Sequence, residues 1–176
     1  MNNIATLLNN LIDKTKSIQL NNLPAFNWVN VWNDSYNRIM EGKQYEHNFP
    51  ACYIEVKFGK VFNLGGKLNG IDIEIKFHIL HWELDAIGGS MDQNLNVFTY
   101  RDLVHRTFQS YTPVQCSAMR YKEEMPHYGH RDLYHHQLVY GTHYIDQTAY
   151  GDIIGDTIEY GPVGLSYSIG LTQSIN

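Results

Sequence analysis

Residues 71–113, IDIEIKFHILHWELDAIGGSMDQNLNVFTYRDLVHRTFQSYTP, leave few folds open to this chain. Ile71, Ile73, Ile75 and Phe77 share one parity, and Asp72, Glu74 and Lys76 take the other. A period of two sustained in this way marks a half-buried strand. The apolar phase then slips to Leu80, Trp82 and Leu84, with His81 and Glu83 between them. Either a bulge near residues 78–80 or burial on both faces explains the slip. DAIGGS (85–90) has loop composition. Ser90 and Gln93 have capping-box spacing, and Asp92 adds a carboxylate at the positive end of a helix dipole. Val97, Tyr100, Val104, Phe108 and Tyr111 recur at steps of three and four, which is one helical face. Pro113 ends that helix shortly after Tyr111.

A chain of 176 residues suits one domain with a single core and room for arms. The net charge is −5 and the pI about 5.9, which disfavours a general nucleic-acid binder. Cys52 and Cys116 form no C-x-x-C pair and read as two buried thiols in a reducing compartment. No apolar run is long enough to span a membrane, and the N-terminus lacks a signal-peptide pattern. The 13 tyrosines suit protein contacts, or they simply line a β-sheet.

Around this strand and helix the other elements fall in order. Ile4, Leu7, Leu8, Leu11 and Ile12 give residues 3–17 an amphipathic helix. NNLP (21–24) is a break. FNWVNVW (26–32) reads as a strand with mixed faces, and DSYNRIMEG (34–42) as a helical turn or loop. FPACYIEVKF (49–58) is a second strong strand, entered through Pro50. GKVFNLGGKLNG (59–70) connects it to the strand at Ile71 as a long, flexible hairpin that projects toward a neighbour. QCSAMRYKEEM (115–125) reads as a third core strand, PHYGHRD (126–132) as a polar turn, and LYHHQLVYGTHYID (133–146) as a fourth strand antiparallel to it. Residues 147–176 hold five glycines and no basic residue. Their apolar pairs show no clear period, so they read as an extended arm ordered by a partner surface, or as a frayed end.

Catalytic signatures are missing from this sequence. His127, His130, His135 and His136 cluster around one turn, but they match neither H-E-x-x-H nor paired Cys/His spacing. Adjacent His135 and His136 diverge on a strand, as do Glu123 and Glu124. Surface or interface histidines are the expectation. NLGGKLNG lacks the Lys-Ser/Thr of a phosphate loop. The chain is therefore expected not to be an enzyme, with no catalytic, cofactor-binding or metal-ligating residues.

The run FHILHWELDAIGGSMDQNLNVFTYRDLVHRTFQSYTP resembles a phage family. FPACYIEV before it and SAMRYKEEMPHYGHRDLYHHQLVY after it extend the likeness over residues 25–146. The family is that of tail-terminator and head–tail connector (neck ring) proteins, of the type found in Bacteroidetes phages and prophages. The fold expected is α+β: an antiparallel or mixed sheet against one long helix plus an N-terminal helix, with an extended hairpin and a C-terminal arm. Residues 1–146 would be the ring-forming domain and 147–176 the arm. The resemblance implies a structural virion protein, made in the bacterial host cytoplasm, that forms a hexameric or dodecameric ring. Its partners would be portal, neck and tail proteins. DNA would pass through the ring without sequence-specific binding, and no membrane would be involved. The long glycine-rich tail departs from the family pattern. It leaves open a terminator of a long tail or a ring of a short-tailed neck. Two other readings remain at this stage. One is a small-ligand or peptide-binding module on the face from Tyr134 to Tyr144. The other is a metal-dependent enzyme on the histidines of residues 127–136.

Overall fold

The structure is a computed structural model that describes residues 4–33, 49–82, 91–127 and 133–148, with backbone alone at 82, 91–97 and 133. Helix α1 (Ile4–Lys16) leads into a small hairpin of β1 (Gln19–Leu20) and β2 (Leu23–Pro24). Then come β3 (Trp28–Val31), β4 (Ala51–Gly65), β5 (Leu68–Trp82), helix α2 (Met91–Phe108), β6 (Arg120–His127) and β7 (Leu133–Asp146). The fold is α+β, with two helices among the described residues and a mixed five-stranded sheet in the order β3-β4-β5-β7-β6. β3 runs parallel to β4, and the other pairs are antiparallel.

β5 is the central strand, and its register explains the phase slip. It pairs with β7 without interruption from Asn69↔Asp146 to Trp82↔Leu133. There is no bulge at residues 78–80. Phe77, Ile79 and Leu80 are fully buried and His78 nearly so, so this stretch is covered on both faces. The bulges lie in the partner strand instead, between Phe58 and Val61 and between Asn63 and Gly65.

Both helices cover one face of the sheet. α1 lies over β3 and β4, and α2 over β5 and β7. Leu7 and Leu11 of α1 and Val104 and Phe108 of α2 share one core with Cys52, Ile54, Ile73, Ile75, Phe77, Ile79, Leu138 and Tyr140. The expected apolar faces of both helices are the buried ones, though the side chain of Val97 and the cap at Ser90 lie outside the described residues. Phe77 stacks on Phe108 at 4.2 Å and meets Tyr140 edge-on at 5.8 Å. The two helices are tied by the segment after α2. Tyr111 Oη and the Val114 N–H both donate to Asn10 Oδ1, at 3.1 and 3.3 Å.

Several expected boundaries move. α2 ends at Phe108, before Tyr111, and Ser110 adopts φ 64°, a left-handed exit that frees Tyr111 to reach α1. The 26–32 strand shortens to β3. The third strand begins at Arg120 rather than at residue 115. Before it, Gln115 turns with φ 58° and Cys116 makes an isolated bridge to Tyr144. β6 is also a largely exposed edge, not a core strand. The break at 21–24 is a tight hairpin in which Asn21 and Asn22 both take positive φ, the conformation Asn tolerates best after Gly. Cys52 and Cys116 are buried free thiols, as expected. The expected elements at residues 34–42, 85–90, most of the 126–132 turn, and the arm from residue 149 onward lie outside the described residues.

The shared core predicts a sharp contrast within α2. Phe108→Ala removes a fully buried ring and should cost about 3–5 kcal/mol in urea denaturation. Phe98→Ala removes a ring that is 45% exposed and should cost under about 1 kcal/mol. Equal costs would mean that α2 does not pack through the Phe108 face.

Candidate functional site

The sequence placed its titratable groups around a turn, whereas the sheet sorts them by parity. On the face away from the helices, β4 offers Tyr53 and Glu55, β5 offers Lys76, His78 and Leu80, and β7 offers His135. The register brings them together: Tyr53 pairs with His78, and Leu80 with His135. His78 Nε2 lies 3.1 Å from Glu55 Oε2, and His78 Nδ1 lies 3.0 Å from His135 Nε2. A carboxylate only accepts, so neutral His78 carries its proton on Nε2, and its Nδ1 accepts from His135. Trp32 stacks on His78 at 3.9 Å, and His127 stacks on His135 at 4.5 Å. Lys76 Nζ stands 3.9 Å from the same Glu55 oxygen.

Of these histidines His127 is exposed, as expected, but the others are not surface groups. His78 is 4% exposed, and His135 and His136 are also buried. Burial pushes the His78 imidazole down to about 4, against the opposing pull of its Glu55 hydrogen bond. His135 and His136 do diverge. His136 faces the helices, 3.7 Å from Glu124 Oε2, and burial lowers its pKa while Glu124 opposes the shift. Neither His136 ring nitrogen has a hydrogen-bond partner among the described residues. Glu124 instead accepts from Arg101 Nε and a second guanidinium nitrogen at 2.8 and 2.6 Å. Partial burial works to raise its carboxyl, and hydrogen bonds from Tyr121 and Arg101 outweigh that. His105 Nδ1 meets Tyr140 Oη at 2.9 Å. Among the described residues no three His, Cys, Asp or Glu side chains converge as a metal site, and His130 lies outside them. The imidazole row is thus a polar seam inside the sheet in which His78 has a partner on each ring nitrogen.

The face from Tyr134 to Tyr144 is no open groove either. His136, Leu138, Tyr140 and Tyr144 are buried on the helix side. These tyrosines do line a sheet. A hollow of about 400 Å³ runs along Asp102, His105, Arg106 and Gln109 of α2.

The β4–β5 hairpin carries the most unusual surface. The glycine-rich connection is itself β-structure: β4 runs to Gly65, β5 resumes at Leu68, and Gly65 and Gly66 take φ 109° and 58° in the turn. Asn63 Oδ1 accepts the Gly65 N–H at 2.6 Å. The Phe62 ring covers Gly70, where any Cβ would collide with it, and meets His143 edge-on at 6.0 Å. His143 Nδ1 pairs with Asp72 at 2.6 Å. That dresses one side of the blade. The other side is bare: Phe58 and Val61, opposite Ile73 and Ile71, are 51% and 58% exposed; Leu64, in the bulge near the turn, is 47% exposed. β4 also has a free edge. β3 pairs with it only as far as Ile54, whose carbonyl accepts the Trp32 N–H, and no described strand follows along residues 55–65. Lys57, Lys60 and Lys67 stud this region. A free edge beside exposed apolar side chains is the arrangement that proteins otherwise avoid unless a partner covers it.

Searches against models of known protein families and against curated proteins find no match to this sequence.

The depressed His78 pKa fixes a pH dependence. The unfolded imidazole titrates near 6.5 and the folded one near 4, so between these values the unfolded chain binds more protons. Stability is full above pH 6.5 and falls as pH drops toward 4, by up to about 1.4 kcal/mol per pH unit from this group. Denaturation midpoints across that range should show the slope, and His78→Gln should flatten it. An unchanged slope in the variant would place the titrating group elsewhere.

Proposed function

We propose that this chain is a structural, ring-forming subunit of a tailed-phage neck or tail, a tail terminator or head–tail connector around the DNA channel. The observation that carries the reading is the β4–β5 hairpin, with its bare Phe58–Val61 side and a β4 edge left unpaired among the described residues. Such a surface is built to be covered, and head-to-tail contacts that close by rotation make rings. The resemblance over residues 25–146 supports the same reading. The net charge of −5 suits a channel through which DNA slides without sticking. Portal, capsid or tail proteins above and below are the partners, and a hexamer or dodecamer is the expected closed form. The virion is then its place. No described helix is long and apolar enough to cross a membrane.

Electron microscopy of particles assembled without this protein provides the test. The expected result is DNA-filled heads lacking joined tails, or tails of uncontrolled end structure. Normal tailed, DNA-filled particles would refute the assignment.

A further inference from the structure

The geometry points to a strand exchange between copies: residues 165–172 of one subunit add as a strand to the free β4 edge of the next, covering Phe58 and Val61. This inference rests on the ring-subunit reading and names the contact that would build the ring. The recipient is a strand with unpaired main-chain groups along residues 55–65 among the described residues, flanked by exposed apolar side chains and by Lys57, Lys60 and Lys67. Such an edge binds an extended segment through main-chain hydrogen bonds, while alternate side chains of the segment meet the apolar strip.

The C-terminal tail supplies a matching segment. As a whole it lacks a period, but Leu165, Tyr167, Ile169 and Leu171 alternate with Ser166, Ser168, Gly170 and Thr172. That is a strand pattern with one apolar face and one small, polar face. The tail beyond residue 148 contains Asp152, Asp156 and Glu159 and no Lys or Arg, so its charge complements the lysines of the hairpin. A neighbour's edge rather than the subunit's own is the recipient that the ring reading requires. β7 ends at Asp146 opposite Asn69, on the β5 side of the hairpin, whereas the free edge of β4 lies on the other side. The chain after β7 therefore starts from the flank of the hairpin opposite the free edge. A strand given by one copy to the next is a heterologous contact, which propagates from copy to copy and makes a ring where its rotation closes.

Disulfide trapping in the full chain tests this. Val61→Cys is tolerated at an exposed position, and the native thiols Cys52 and Cys116 are buried. It is combined in turn with Leu165→Cys, Ile169→Cys and Leu171→Cys, so that the result does not hang on one register. After mild oxidation, at least one pair should give a ladder of covalently linked copies on a non-reducing gel that neither single variant gives. A cross-linked monomer in place of the ladder would show that the tail closes its own edge, and overturn the inference. Absence of any cross-link, with Val61→Cys still open to a thiol reagent, would overturn it too. Light scattering of the uncross-linked variants separates this inference from the broader reading. A closed oligomer without a ladder leaves the ring and removes the exchange, whereas a ladder from open-ended chains keeps the exchange and removes the ring.

Discussion

The two-sided burial of β5 is the constraint on which the rest depends. Its full length is hydrogen-bonded to β4 on one edge and β7 on the other. Its Ile73–Ile75–Phe77–Ile79 face needs an apolar cover, and α1 and α2 supply it through Leu7, Leu11, Val104 and Phe108. Its opposite face has no helix to bury against among the described residues. There the chain uses Ala51, Tyr53 and Leu80 with Trp32 and Phe49 packed on them, and beside them the His78–His135–Glu55 seam. Burying imidazoles rather than aliphatic side chains costs desolvation, and the network offsets part of it by giving His78 a partner on each nitrogen.

The same ladder outruns its cover. The helices shield β4 as far as Ile54, half-bury Val56 and leave the strand exposed from Lys57 on. The bulges at Phe58–Val61 and Asn63–Gly65 lie in this uncovered part. Bulges strengthen local twist and are common where a sheet edge must be redirected. Phe62 over Gly70 and the Asp72–His143 pair finish one side of the blade locally. Phe58 and Val61 stay exposed on the other side.

The elements that were legible from the sequence are those with a long single-period signal. The alternation of residues 71–77, 49–58 and 133–146 and the three-four spacing of Val104 and Phe108 named β5, β4, β7 and α2 with the right covered faces. Divergence of His135 and His136 followed from the same parity. Pairing was not legible. Nothing in FNWVNVW distinguishes a parallel edge strand from an antiparallel one, because the choice is made by where residues 49–58 arrive, not by local pattern. Glycines in 59–70 suggested a flexible connection, yet strand can accommodate them where an aromatic ring covers the gap, as Phe62 does at Gly70. The burial of His78 was hidden because its partners, Glu55 and His135, are 23 and 57 residues away in sequence.

Function hangs on whether the bare side of the hairpin is an intersubunit surface. Sedimentation analysis of the full chain beside a Phe58→Ser/Val61→Ser double variant measures this directly. Both residues are exposed, so the substitutions should leave the melting temperature within a few degrees of the parent. The account predicts that the parent self-associates to a discrete oligomer and that the variant sediments as a folded monomer. A parent that stays monomeric at every concentration, or a folded variant that associates as the parent does, would contradict it.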